Sequence, residues 1–322
     1  MRAELLSHLR PEFTQKLERF AGDDKQVEEG VLRGPTAWWP VVRGVPCFLT
    51  GELRPDLSDF EKKYGLTSAA GAKREARDAE QAKTTVTFSD KWRRFKNYGL
   101  EQEHQAFLRG WYCKKLGLAD ETALRQFYHH KNSILVLCPG SGFNSRFMAE
   151  NCPGTVIAAD ISEAAHTTYG NTKDLPNAHV VQADVMNLPF PDNHFDFAIA
   201  DGVLHHTPDT RAAVAAMYSK VKPGGLGRLC FFSKSDRSGR SSPVRKHGTP
   251  RTTGHHAPVH CRTPSSICLS SPAKRSSVCV NSGRKWASNS ARMVELPNPF
   301  SQRSHGRHGQ KTLQSLSLPR RG

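Results

Sequence analysis

The sequence predicts an α/β chain built on a doubly wound parallel sheet, and three observations predict it. An apolar run of strand length, Ile134 to Leu137, breaks into a Gly-x-Gly turn at Gly140-Ser141-Gly142 and reopens as a helix at FNSRFMAEN. A second apolar run, TVIAAD, ends on Asp160, 18 residues after Gly142. Further strands follow: HVVQAD ends at Asp184, and FDFAIA runs into Asp201-Gly202-Val203-Leu204-His205-His206. A helix from Pro208 to Val221, the stop Lys222-Pro223-Gly224-Gly225 and a last apolar run, Leu226 to Phe232, complete the series. Strands alternating with helices, with an acid at three successive strand tips, read as a parallel sheet.

The turn and the first acid explain each other. Glycine lets backbone N–H groups approach a ligand closely, and the helix that starts there adds a positive dipole end. A carboxylate at the tip of the next strand is placed to accept from both hydroxyls of a ribose. The pattern therefore predicts an adenosine-containing cofactor. The third glycine that packs a dinucleotide-binding helix under a pyrophosphate is missing from GSGFNS, which favours S-adenosylmethionine over NAD.

With these strings in view, the chain resembles the class I S-adenosylmethionine-dependent methyltransferases, in the branch that includes the ubiquinone and menaquinone C-methyltransferases. The resemblance rests on CPGSGFNSRFMAE, VIAADIS, VVQADVMNLPFPDNHFDFAIADGVLHH and KVKPGG, and covers roughly residues 86 to 232. It implies the Rossmann-like sheet of that class, here lacking its last strands. It places Gly140, Ser141 and Gly142 under the methionine part of the cofactor, Asp160 with Ile161 at the ribose, Asp184 with Val185 at the adenine, and Asp201 with Gly202 beside the departing methyl. His205 and His206 follow the fourth strand as candidates for a general base or for positioning an acceptor oxygen. The expected partner is a small-molecule methyl acceptor.

Two positions depart from the pattern the family usually shows. Val136 stands where an acidic residue helps hold the cofactor's ammonium group, and Cys138 stands where a glycine is usual. A charge-assisted hydrogen bond of that kind contributes roughly 1.5–3 kcal/mol, so weakened but retained binding is expected. By the same reasoning, restoring both residues should tighten it.

Charge divides the chain. Of the 46 basic and 30 acidic residues, 17 basic and two acidic ones fall in residues 233–322, which leaves residues 1–232 nearly neutral. The tail is rich in Ser, Arg, Pro and His and lacks apolar periodicity, a composition that predicts disorder. It begins where a sheet of this class still lacks its last helix and hairpin, leaving the edge of the strand Leu226 to Phe232 without a partner. Translation out of the native frame from about residues 224–233 would produce such a bias. A nucleic-acid partner is expected only non-specifically, through this tail. The competing readings are a noncatalytic cofactor binder, an RNA-binding protein acting through the tail, and an NAD-type oxidoreductase.

The eight cysteines are spread singly, with no Cys-x-x-Cys spacing, so no metal site is expected. No signal peptide and no apolar stretch near 18 residues stands out, which predicts a cytoplasmic protein without membrane insertion.

The N-terminal half divides further. Residues 1–50 combine Leu5, Leu6, Leu9, Phe13, Leu17 and Phe20 at helical spacing with a hairpin, VLRGPTAWWPVVRGVPCFL. The hairpin resembles the zinc-ribbon module of tRNA-methyltransferase activators, with Gly34 and Ala37 where metal-binding cysteines are expected. Residues 51–85 read as a charged helix or linker. Residues 86–131, dense in aromatics such as Phe88, Trp92 and Trp111, read as a helical cap over the methyltransferase sheet.

Overall fold

The computed structural model describes residues 1–67, 76–232, 266–270, 277–283 and 294–297, with side chains described over residues 1–67 and 81–230. The N-terminal region is an antiparallel sheet with strand order β1-β2-β3-β4: β1 (Lys16–Gly22), β2 (Val27–Arg33), β3 (Trp38–Val42) and β4 (Val45–Pro46). The helical spacing of Leu5, Leu6, Leu9, Phe13, Leu17 and Phe20 does not become an α-helix. Ala3–His8 and Pro11–Phe13 are short 3-10 turns, and Leu17 and Phe20 belong to β1. Pro11 interrupts the helical spacing, and β1 finds a better partner for its backbone in β2. Gly34 donates its N–H to the Ala37 carbonyl at 2.8 Å, so the two positions expected to hold cysteines instead close the β2–β3 turn.

Next come α1 (Ser58–Tyr64), α2 (Ala76–Arg94), α3 (Gln102–Leu116) and α4 (Glu121–His129). The central sheet follows with β5 (Ser133–Leu137), α5 (Phe143–Asn151), β6 (Thr155–Asp160), α6 (Ala164–Thr172), β7 (Ala178–Gln182), β8 (Phe195–Asp201), α7 (Thr210–Ser219) and β9 (Val221–Phe232). The strand expected from Leu226 starts earlier, at Val221. Its register against β8 slips between Phe195 and Phe197, and the Lys-Pro-Gly-Gly stop forms the slip.

Five strands run parallel in the order β9-β8-β5-β6-β7. The chain winds one way from β5 to β6 and β7, then returns to the other side of β5 for β8. That reversal opens a crevice at the carboxyl ends of β5, β6 and β8, the place where open α/β sheets bind ligands. The central strands bury both faces, so their residues alternate between two cores. Ile134, Val136, Phe197 and Ile199 pack with Tyr112, Leu124, Tyr128 and Met148 of the helical side. Leu135, Leu137, Ala198 and Ala200 pack with Met217 and Tyr218 and, across the junction, with Leu5, Leu9, Phe13 and Phe48. Phe48 donates its N–H to the Gln182 carbonyl (2.8 Å) and Arg10 to that of Pro189 (2.9 Å), so the N-terminal sheet covers the β7 edge.

Most of the tail expected to be disordered lies outside the described residues. Within it are three strands: β10 (Ser266–Ser270), β11 (Ser277–Gly283) and β12 (Val294–Pro297). The outer edge of β9, expected to lack a partner, pairs antiparallel with β12 over Leu226–Leu229 and parallel with β11 at Phe231 and Phe232. An edge strand offers a row of open donors and acceptors, and short alternations such as Val294/Leu296 suffice to fill it. Runs of four to seven residues do not register in tail-wide composition. No helix among the described residues is long and apolar enough to cross a membrane.

Candidate functional site

A cavity of about 170 Å³ opens at the crevice, lined from the sheet by Leu137, Cys138, Asp160, Ile161, Asp184, Val185, Asp201, Gly202 and His206, and from above by α2. Seven of the expected site residues thus share one wall. The glycine turn adjoins it: Gly140 (φ 66°) and Gly142 (φ 86°) hold left-handed backbone that glycine adopts without strain. Gly142 starts α5, and the buried Ser141 hydroxyl donates to the Tyr98 carbonyl at 2.6 Å, tying the turn to the segment after α2. A Cβ on Gly140 would lie 2.5 Å from the Trp92 ring, so the indole of α2 rests on the glycine.

The two nearest acids differ in their surroundings. Asp160 is 4% exposed, and one of its oxygens accepts from the Ser162 N–H (2.8 Å) and hydroxyl (2.7 Å). Burial lifts its pKa to about 6 against the pull of those bonds and of the Gly140 N–H. Asp184 caps the short 3-10 turn Val185–Asn187 by accepting from the Met186 N–H at 3.0 Å. Both acids therefore organise their own turns and also face the cavity.

Asp201 is committed elsewhere. Its carboxylate forms an ion pair with Lys115 of α3 and accepts from the Tyr112 hydroxyl at 3.0 Å. The Lys115 side chain is 1% exposed and lies 3.1 Å from the centre of the Trp111 ring. Arg228 of β9 holds the end of α3 by donating to the Lys115 and Leu116 carbonyls at 2.7 and 3.0 Å. His206 stands at the cavity mouth, edge-on to Phe88 at 5.1 Å, while His205 packs against it at 4.1 Å and does not line the cavity. Burial and the neighbouring His206 lower the His205 pKa.

Cys138, read from the sequence as an intruder, adopts φ 50°, a conformation that suits glycine. Val136 is 3% exposed inside the helical-side core. Sequence reasoning missed Gln81, Thr84 and Lys115. The first two lie before residue 86, where the cap was expected to begin, yet α2 runs through that boundary from Ala76. Among the described residues no group of three His, Cys, Asp or Glu side chains is placed to hold a metal ion.

Strand order, glycine turn and strand-tip acids define a class I methyltransferase fold, and residues 135–229 match the family model described as a methyltransferase domain. This segment is thus similar to methyltransferase domains. Similar proteins include a demethylmenaquinone methyltransferase from Staphylococcus saprophyticus, 39% identical over 74 residues, covering 23% of this chain and 32% of the relative. A ubiquinone/menaquinone biosynthesis C-methyltransferase from Stutzerimonas stutzeri is 36% identical over 112 residues, covering 33% and 43% respectively. The chain thus spans well under half the length of these relatives. A solved S-adenosylmethionine-dependent methyltransferase from Aquifex aeolicus aligns over 40% of this chain and 72% of its own, at 21% identity and a TM-score of 0.33.

Proposed function

We propose that the chain binds S-adenosylmethionine in the crevice between the sheet and α2 and transfers its methyl group to a small, largely apolar acceptor. The observation that carries the reading is the convergence of Asp160, Asp184 and the Gly140–Gly142 turn at the reversal point of the sheet, within the segment that matches the methyltransferase family. In this reading Asp160 holds the ribose hydroxyls with Ile161 against the base, Asp184 and Val185 border the adenine, and the glycine turn faces the methionine part. The cavity of about 170 Å³ is smaller than the roughly 300 Å³ at which ligand pockets begin. The missing volume lies over Gly140, where the Trp92 ring sits and must turn aside.

Held by Asp160, Asp184 and the glycine turn, S-adenosylmethionine would supply a methyl on a sulfonium, with a neutral thioether as the leaving group. Such a leaving group needs little help, so the chain's task is to position the partners and exclude water; positioning contributes roughly 7–11 kcal/mol. Phe88, Val203 and Leu204 provide apolar walls for the acceptor beside Gly202. His206, at the mouth, is placed to take the proton the acceptor gives up or to pass it to solvent. Asp201 serves as a fixed wall, because Lys115 and Tyr112 already claim its oxygens. The names of the similar proteins point to quinol-type acceptors methylated on carbon, and an apolar cavity suits a ring of that kind.

A second reading, cofactor binding without turnover, is favoured by Cys138 in left-handed backbone and by Trp92 over the glycine. Calorimetry with S-adenosylhomocysteine tests binding, and Asp160→Ala should weaken it by about 1.5–3 kcal/mol. Unchanged affinity in that variant would remove Asp160 from the site. Transfer of labelled methyl to a demethylated quinol then separates the enzyme from the binder.

A further inference from the structure

Gln81 stands out among the cavity-lining residues because its amide oxygen has nothing to bond. The residue is 6% exposed, and its Oε1 is buried without a hydrogen-bond partner. Its backbone carbonyl is satisfied by the Thr85 hydroxyl at 2.9 Å, so the deficit belongs to the side chain alone. A buried amide left without a partner is destabilising and uncommon, and it persists most readily where a ligand completes it.

The position along α2 says which part of a ligand it would meet. Gln81, Thr84, Phe88 and Trp92 recur at helical spacing and all line the cavity, so one face of α2 runs along its length. Trp92 marks the glycine-turn end by resting on Gly140. Eleven residues earlier, about 16 Å along the axis at the rise of an α-helix, Gln81 marks the opposite end. A cofactor lying along this face with its amino-acid part at the glycine turn presents its base there. A carboxamide offers one acceptor and one donor side by side, the complement of the adenine edge formed by the exocyclic amine and N7.

We infer that Gln81 reads the purine edge of the bound nucleoside, its Oε1 accepting from the exocyclic amine and its Nε2 donating to N7. The assignment rests on the cofactor reading above and adds to it a residue that sets base specificity.

Calorimetry with S-adenosylhomocysteine and S-inosylhomocysteine, in which an oxo group replaces the amine, tests it in the full-length protein and in Gln81→Leu. The wild type should prefer the adenine compound about tenfold, equivalent to 1.4 kcal/mol. Gln81→Leu should bind it about tenfold more weakly and treat the two compounds alike. Ligand-free Gln81→Leu should melt at a higher temperature than the wild type, since no buried amide oxygen is then left without a partner. A merely structural glutamine would lower the melting temperature on replacement and leave the preference intact. A preference that survives in Gln81→Leu, or a variant that fails to fold, overturns the assignment. Failure of the wild type to bind either compound overturns the cofactor reading itself.

Discussion

Asp160 sits under two opposing demands, burial that favours its neutral form and hydrogen bonds from Ser162 and Gly140 that favour its charge. Its pKa rises from 3.8 to about 6, so the folded protein holds the proton more tightly than the unfolded chain. The stability this group lends is complete below about pH 4 and is lost as pH rises through about 6. Two units correspond to about 3 kcal/mol at neutral pH. Asp160→Asn removes the titration, so the wild type should lose most of that amount relative to the variant between pH 4.5 and 7.5 in urea denaturation. A pH-independent difference would mean that the carboxylate is solvated. Cys138 is a second residue under strain, since a side chain at φ 50° costs about 1–2 kcal/mol. Cys138→Gly alone should raise stability by about 1 kcal/mol in thermal or chemical melts. The paired change suggested by sequence fares worse. A glutamate at Val136 would enter a core of Tyr112, Phe143 and Phe147, so the expected gain in binding is now assigned to Cys138→Gly by itself.

At the scale of elements, α3 is clamped to the sheet by charge as well as by packing. Lys115 reaches Asp201 at the tip of β8 and Arg228 reaches back from β9 to the end of α3, so three elements meet around one carboxylate. Lys115→Met would leave that carboxylate, 17% exposed, without its cation and should cost about 1–3 kcal/mol in denaturant melts. Adding Asp201→Asn should return most of the loss, and additivity of the two changes would show that the pair does not interact. The sequence shows this region unevenly, for a physical reason. β5, β6, β7 and β8 are visible because strands buried on both faces are rich in apolar residues, and acids stand at the tips of β6, β7 and β8 where the chain must turn. Lys115 and Gln81 carry no such signal, since a lysine and a glutamine on helices read as solvent-facing until tertiary packing buries them. Helical spacing in residues 1–20 misled because strand pairing with β2 outweighs a local preference.

For the whole molecule, the question is what closes the sheet at its two sides. On the β7 side the N-terminal sheet does so through a shared core, with Phe13 and Phe48 packed beside Val181 and Ala183. On the β9 side two backbone ladders do so: β12 pairs four residues, Leu226–Leu229, and β11 pairs two, Phe231 and Phe232. Ending the chain at Phe232 removes both partners and leaves the donors and acceptors of β9 open to other molecules. Every residue that lines the cavity lies between Gln81 and Thr207, so the binding wall is retained. The truncated protein should therefore bind S-adenosylhomocysteine within about threefold of the full chain, under 1 kcal/mol, while light scattering shows faster association at equal concentration. A tenfold loss of affinity would mean that the pairing on β9 reaches across β8 to the cavity. Equal scattering would mean that the β9 edge needs no cover. Affinity and self-association should separate because the cavity is lined at the strand tips, whereas the ladders on β9 lie along the side of the sheet.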